Sequence, residues 1–347
     1  MTTHEFYMKR CIELAKNGLG TTYPNPLVGS VIVHDDKIIG EGWHKKAGEP
    51  HAEVNAVNSV KDKSLLKEAT IYVSLEPCSH FGKTPPCCDL IIANEIPNVV
   101  VGTVDPFAKV AGNGIKKLVE SGKNVTVGIL EDECNELNKR FFTFHQKQRP
   151  YIILKWAETA DGFISPISKE EKSPVWITNP YSRQLVHKWR TEEQAILVGT
   201  NTVLDDNPKL DARDFSGNNP IRIVLDKSGK ISENYHVKNN SQKTIFITES
   251  ENFISTENCI YENAIFDIHL ISSICEILYK NNIQSVIIEG GSKTLQSFID
   301  ANLWDEARVF KGDTTFQNGI LAPNISGNPV ASFDIMNDEL KIFKNYD

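Results

Sequence analysis

No apolar run in the 347 residues approaches the roughly 20 that a membrane helix needs. The first residues lack an apolar signal-peptide core and carry helix-starting polar chemistry instead, so export is not expected. A basic surplus is missing as well: 37 Lys and Arg stand against 45 Asp and Glu, a net charge of −8. Nucleic-acid binders draw affinity from phosphate neutralisation, so this balance points away from a nucleic-acid partner. A local basic patch for a small phosphorylated ligand stays open. The seven cysteines are odd in number and sit in a long chain without an export signal, which excludes a disulfide framework. There is no internal repeat, no low-complexity tract and no G-x-G-x-x-G, so a standard Rossmann dinucleotide site is not indicated. What remains is an ordinary globular composition, 40% hydrophobic and 24% charged, at a length that suggests two domains. A cytoplasmic protein without membrane or nucleic-acid partners is expected.

Residues 2–19 predict an amphipathic helix, with Thr2 and Glu5 as a capping box and Tyr7, Cys11, Leu14, Ala15 and Leu19 on one face. Val28–His34 and Ile38–Gly42 read as strands joined by an Asp35-Asp36 hairpin turn. Helices follow over Ala52–Val60, from about Cys87, and over Ile115–Ser121. Strands are expected at Thr70–Leu75, Asn98–Val104 and Val125–Ile129. This alternation favours a sheet with helices on both faces. The polar stretch 131–150, with Phe141-Phe142 and Arg149-Pro150, reads as the boundary between domains at 1–147 and 150–347. Beyond it, strands are expected at Tyr151–Trp156, Ala195–Gly199, Ile221–Leu225, Lys243–Thr248 and Ser285–Glu289, with a helix over Asn179–Arg190. The Asn-, Ser- and Lys-rich segment 227–262 reads as a surface excursion, and 310–324 as polar and irregular.

The strongest local signal is His51-Ala52-Glu53, followed by Pro77-Cys78 and Cys87. One imidazole and two thiolates leave a fourth tetrahedral position for water, the arrangement of a catalytic zinc site. Zinc lowers the pKa of water bound to it towards neutrality, and Glu53 could carry a proton from that water to a leaving amine. The pattern matches the H-x-E…P-C signature of zinc deaminases. Nucleic-acid deaminases use P-C-x-x-C, whereas eight residues separate Cys78 from Cys87 here, and the insert adds His80 and Lys83. Those two suit a small polar or phosphorylated substrate. A structural zinc site would recruit Cys88 or His80 as a fourth ligand. Cys11, Cys88, Cys134, Cys259 and Cys275 read as packing residues.

Pro24-Asn25-Pro26 with Val28-Gly29, His44, His51-Ala52-Glu53 and Glu76-Pro77-Cys78-Ser79-His80 through Lys83 to Pro86-Cys87 carry a resemblance over residues 1–147. So do Asp105-Pro106, Val110, Gly112, Gly114 and Gly122. This half resembles the deaminase domain of the bifunctional riboflavin biosynthesis deaminase/reductase family. The resemblance implies a cytidine-deaminase-like three-layer αβα fold, with Asn25, His44, Ala52, Glu53, His80 and Lys83 facing a pyrimidine ribotide. On the residues alone, Asn25 is equally a turn residue between two prolines, and Lys83 a solvated loop lysine.

In the second half, the strand Val286–Glu289 runs into Gly290-Gly291-Ser292 and a helix, a turn whose backbone N–H groups can approach a phosphate. Ala195–Gly199 runs similarly into Thr200-Asn201-Thr202. Together with Lys155, Ala157, Asp161-Gly162, Trp176-Ile177-Thr178, Arg190, Asp206, Pro208, Leu210, Arg213, Arg222, Asp226 and Glu289, these stretches resemble the reductase half of the same family. The resemblance implies a dihydrofolate-reductase-like α/β fold. It implies NADPH at Ala157, Trp176, Thr202, Asp206, Gly291 and Ser292, and substrate at Arg190, Leu210, Arg213 and Glu289. Two arginines suit a ribose phosphate. Simpler roles stand beside these: Arg190 balancing a helix dipole, Asp205-Asp206 forming a turn, Trp176 packing in the core. At Asn207 a second aspartate is usual in the family, and Pro174 replaces a polar residue.

The resemblance as a whole implies zinc-dependent deamination of 2,5-diamino-6-(5-phosphoribosylamino)pyrimidin-4-one, then NADPH reduction of the ribosyl to a ribityl chain. Glu53, Lys155 and Asp206 are the catalytic candidates, and a homo-oligomer is expected. Two alternatives belong to other classes. One is a tRNA-type base deaminase with a C-terminal binding domain, the other a structural zinc module with an inactive second half.

Overall fold

Thr2 caps the first helix, and the reciprocal Thr2–Glu5 box is formed. The computed structural model describes residues 1–81, 85–106, 112–168 and 175–346. Lys83, Val110 and Pro174 therefore lie outside the described residues. The chain divides into two compact units, Met1–Gln148 and Arg149–Asp347.

The first unit runs α1 (Thr3–Lys16), β1 (Gly29–His34), β2 (Lys37–Trp43), α2 (Ala52–Ser59), β3 (Thr70–Leu75), α3 (Cys87–Ala93), β4 (Asn98–Thr103), α4 (Asn113–Glu120), β5 (Asn124–Val127), α5 (Glu131–Leu137) and α6 (Lys139–Lys147). Its sheet has the order β2-β1-β3-β4-β5. Asp35 and Asp36, both at positive φ, turn the β1–β2 hairpin. The strand period of two sorts side chains to opposite faces. Val31, Val33, Tyr72 and Val100 pack with Tyr7, Cys11 and Leu14 of α1 and with Cys134 and Leu137 of α5. Ile32, Ile71, Val73, Val99 and Val101 pack with Ala56, Val57, Cys88, Ile91 and Leu118 of α2, α3 and α4. The result is the expected three-layer αβα arrangement.

The division after Gln148 falls inside the polar stretch 131–150, and residues 131–147 ahead of it form two helices that the sequence reading did not identify. Cys134, Leu137, Phe141 and Phe144 are buried at spacings of three and four, a thin apolar stripe in a polar sequence. Asn138 fastens the segment by exchanging two hydrogen bonds with the Leu27 backbone at 2.8 and 2.9 Å.

The second unit continues β6 (Tyr151–Glu158), β7 (Phe163–Ser165), α7 (Pro180–Glu192), β8 (Ala195–Gly199), α8 (Thr200–Asp206), β9 (Ile221–Leu225), β10 (Thr244–Thr248), β11 (Cys259–Asn263), α9 (Leu270–Lys280), β12 (Ser285–Ile288), α10 (Ser292–Asp300), β13 (Glu306–Lys311), β14 (Ile320–Leu321), β15 (Ala331–Ile335) and β16 (Asp338–Lys344). A nine-stranded sheet has the order β11-β10-β9-β8-β12-β6-β13-β16-β15. It is parallel from β11 to β13, and β16 and β15 are antiparallel additions. One face packs against Ile274, Leu278, Leu295 and Phe298 of α9 and α10, the other against Val186 and Trp189 of α7.

Two further expectations need correcting. Segment 227–262 is not only a surface excursion: Ile231 and Val237 are core residues, and its end enters β11 beside β10. Residues 310–324 also contain the end of β13 and the short β14, which pairs with β7. Their few apolar residues alternate too briefly to stand out as strands.

The register of β2 beneath α2 fixes the next level of structure. A Cβ at Gly42 would meet the Ala52 carbonyl oxygen at 2.6 Å and collide with the Ala56 nitrogen. Gly42→Ala is expected to destabilise the first unit by about 1–3 kcal/mol, the usual cost of overpacking. Denaturant unfolding of the full chain, followed by probes of each unit, checks this; an unchanged first transition would contradict it.

Candidate active sites

His51 is the N-cap of α2, which puts its imidazole at the helix start and Glu53 in the first turn. Cys78 follows the end of β3, and Cys87 opens α3. These three donors converge: the His51 Nδ1, Cys78 Sγ and Cys87 Sγ atoms all lie within 4.8 Å of one another. Nδ1 stands 3.6 Å from Cys78 Sγ and 3.3 Å from Cys87 Sγ. Zinc bonds of about 2.0 Å to nitrogen and 2.3 Å to sulfur, at tetrahedral angles, separate such donors by roughly 3.5 Å. The donor set therefore fits zinc in distance as well as in kind. Charge argues the same way. Accepting a hydrogen bond from Cys87, beside the His51 imidazole, pulls Cys78 well below the ordinary thiol range, while Cys87 is pushed up by Cys78 and by burial. The two sulfurs thus share one proton, and a cation between them is what would let both ionise.

Cys88 points elsewhere. Its thiol donates to the Pro77 and Gly114 carbonyls at 3.3 and 3.5 Å, so it packs instead of joining the cluster. His80 is exposed two residues beyond Cys78. Glu53 is 3% exposed, and burial, reinforced by Cys78, pushes its carboxyl up to about 7.

Asn25 and His44 meet across the chain. The His44 Nδ1–H donates to the Pro50 carbonyl at 3.2 Å, which leaves Nε2 to accept the Asn25 amide at 3.0 Å. The Asn25 backbone also closes a turn onto Thr22 O, so the turn role and the side-chain role coexist. The His44 ring lies edge-on to His51 with centroids 5.4 Å apart. Ala52 is fully buried, with its carbonyl against Gly42 of β2.

Glu76 is the residue that sequence reasoning left without a role. Its buried carboxylate accepts four backbone N–H groups: Gly114 at 2.8, Gly112 at 2.9, and Asp105 and Ile115 at 3.3 Å. It ties the strand end carrying Cys78 to the start of α4. Gly114 completes the joint, because a Cβ there would collide with the Pro77 carbonyl oxygen. A carboxylate directly before a Pro-Cys ligand pair was the only available signal.

In the second unit, Arg190 grips Glu289 bidentately, Nε to Oε1 at 3.2 Å and NH2 to Oε2 at 2.7 Å, and donates to the Asp211 carbonyl at 2.9 Å. This partnership replaces the helix-dipole role. Against desolvation, the Arg190 and Lys155 cations hold Glu289 down at about 2. Burial, with Arg190 adding to it, lowers Lys155 in β6, while Glu289 opposes the shift. Arg213 bonds Asp211 at 2.6 Å and stays largely exposed. His187 joins the same charge network.

Lys155, Arg190 and Glu289 thus come together, with Arg213 at the margin. The Leu210 side chain does not: it is buried among Ile196, Val203 and Val224, with its backbone at φ +53. Thr202 and Gly291 meet where β8 and β12, neighbours in the sheet, run into α8 and α10; a Cβ on Gly291 would lie 3.7 Å from Thr202 Oγ1. Ser292 is the first residue of α10, and Asp206 the last of α8. Ala157, near the end of β6, packs beside the α7 core. Trp176 is not a core residue; it is 52% exposed, with the Arg183 guanidinium 5.0 Å from its ring. Asn207 has its own reason: it is the left-handed C-cap of α8 at φ +41, a position that suits Asn.

A cluster of one imidazole and two sulfur donors beside a buried glutamate is the arrangement of a metal-dependent deaminase, and the parallel strand ends of the second unit are the arrangement of a nucleotide-type reductase site. Comparison with known proteins agrees. Residues 1–103 match the cytidine and deoxycytidylate deaminase zinc-binding region, and residues 150–314 the RibD C-terminal domain. The riboflavin biosynthesis protein RibD of Aquifex aeolicus is 40% identical over 97% of this chain and 93% of its own. That of Escherichia coli is 36% identical over 88% and 86%. The crystal structure of a diaminohydroxyphosphoribosylaminopyrimidine deaminase/5-amino-6-(5-phosphoribosylamino)uracil reductase from Thermotoga maritima superposes with a TM-score of 0.89 at 39% identity, covering 99% of this chain and 98% of that one. The chain belongs to the RibD family of riboflavin biosynthesis proteins. It is a bifunctional enzyme, a zinc-dependent deaminase and an NADPH-dependent reductase. No helix among the described residues is long and apolar enough to cross a membrane.

Cys87→Ser is expected to lose bound zinc, and Cys88→Ser to retain one zinc per chain. Elemental analysis of the purified variants checks this; zinc retained without Cys87 would overturn the donor set.

Proposed function

We propose that residues 1–147 deaminate 2,5-diamino-6-(5-phosphoribosylamino)pyrimidin-4-one and that residues 150–347 then reduce its ribosyl group to ribityl. The convergence of His51, Cys78 and Cys87 beside Glu53 carries this reading. Zinc held by these three donors leaves one coordination position and lowers the pKa of water placed there. Glu53, buried beside the three donors, takes a proton from the attacking water and delivers it to the departing amine, so that ammonia leaves and a carbonyl remains. Asn25, its amide oriented by His44, reads the pyrimidine edge with its oxygen and second N–H. The Ala52 backbone and His80 line the ribotide; Lys83, which the resemblance assigns to the same ligand, lies outside the described residues.

NADPH bound here would supply a hydride to the sugar carbon bonded to the amine; that carbon's bond to the ring oxygen opens, and the ring oxygen takes a proton to become a hydroxyl. The turn at Gly291 and Ser292, with Thr202, holds its phosphates; Ala157, Trp176 and Asp206 complete that site. Arg190 and Glu289 position the substrate, Arg213 takes its phosphate, and Leu210 contributes its backbone. Lys155, destabilised as a cation by burial, supplies the proton, with Asp206 as a polar aid. Seven cysteines with no disulfide among them suit a reducing cytoplasm. The acidic net charge suits a small-molecule substrate, with neither nucleic acid nor membrane as partner. A homo-oligomer completes the reading.

Product mass spectrometry tests the order of steps. Without NADPH the substrate should exchange an amine for oxygen, and with NADPH the product should gain two hydrogens. Glu53→Gln is expected to lower deamination by about 10²–10⁴-fold while retaining zinc and reduction. Lys155→Met is expected to lower reduction about a hundredfold and leave deamination intact. Full deamination by the Gln variant, or an unaltered reduction rate in the Met variant, would remove that residue from the mechanism.

A further inference from the structure

On α7, Arg183, His187 and Arg190 follow one another at spacings of four and three, so they share a helix face. Each meets the segment Asp211–Asp214. Arg183 Nε lies 2.8 Å from Asp214 Oδ2, and Arg190 donates to the Asp211 carbonyl at 2.9 Å. Between them, the Asp214 backbone N–H donates to His187 Nδ1 at 3.3 Å. The His187 side chain is 2% exposed. Because a backbone N–H can only donate, Nδ1 must be unprotonated. Nε2 then carries the proton and faces Asp214 Oδ2 at 3.5 Å.

The segment held this way carries Arg213. Three donor groups of Arg190 are already committed to Glu289 and Asp211. Among the described residues Arg213 makes one bond, to Asp211 Oδ1, and its side chain is 41% exposed. Of the two arginines, Arg213 keeps the more donors for an anion, and its position depends on the segment being anchored.

We propose that His187 is a positioning residue of the reductase: as a neutral acceptor for the Asp214 N–H, it fixes the 211–214 segment and thereby the place where Arg213 meets the substrate phosphate. This rests on the reading above that Arg213 takes that phosphate. The groups facing the imidazole are Arg190, Asp214, Arg213 and Glu289; burial first, then Arg190, lowers its pKa to about 4. The acceptor form therefore persists throughout the neutral range.

The test uses the full, zinc-loaded chain and steady-state reduction of the phosphorylated aminouracil, with deamination as the internal control of folding. His187→Ala should raise the substrate KM about tenfold, roughly one buried hydrogen bond, with kcat and the NADPH KM unchanged. His187→Asn, whose side-chain oxygen can replace Nδ1, should restore most of the affinity. On the dephosphorylated substrate, wild type and His187→Ala should have equal kcat/KM. An unchanged KM in His187→Ala, an Asn variant no better than Ala, or an equal loss on the dephosphorylated substrate would overturn the proposal. Arg213→Ala separates the two readings. If it leaves the substrate KM unchanged, the phosphate assignment fails first; if it raises KM while His187→Ala does not, only the positioning role fails.

Discussion

The chemistry of the first unit depends on how closely backbone approaches backbone at one end of its sheet. Its three sulfur and nitrogen donors come from a helix start, a strand end and a second helix start. No local sequence rule holds such points within ligand distance. Gly42 lets α2 lie directly on β2, and Gly114 lets the start of α4 touch the Pro77 carbonyl. Glu76 then collects four backbone N–H groups and locks the strand end that carries Cys78. A carboxylate with that many donors behaves as part of the main chain.

The second unit solves a different problem, that of keeping several charges out of water without losing them. Glu289, Arg190 and Lys155 sit near the C-terminal ends of adjacent parallel strands and the helix packed beside them, where ligands of open α/β sheets commonly bind. The bidentate Arg190–Glu289 pair satisfies most of its own hydrogen-bonding capacity. Lys155 is left with less compensation: burial, with Arg190 adding to it, lowers its pKa against the pull of Glu289. Burial and charge balance thus treat the three residues of one network differently.

The sequence disclosed what is carried by local pattern. The β1–β2 hairpin, the capping box at Thr2 and the parallel strands with long β-branched runs were legible, as was the His51, Cys78, Cys87 spacing. Glu76 was not, because its partners lie 29 to 39 residues away and are backbone groups with no signature. Helices α5 and α6 were missed because four apolar residues carry their burial in an otherwise polar stretch. Leu210 illustrates the reverse difficulty: a resemblance places it at a ligand, while its side chain is committed to the core and only its backbone remains. Trp176 was ambiguous between core and site, and exposure removes the first option.

The central claim is that three protein donors hold one zinc with a coordination position left over. X-ray absorption at the zinc edge of the loaded, full-length enzyme measures this directly. The account predicts two sulfur neighbours at about 2.3 Å, one imidazole nitrogen and one light, exchangeable oxygen near 2.0 Å. A fourth protein ligand, whether a third sulfur or a second imidazole, would mark a closed structural site and contradict it.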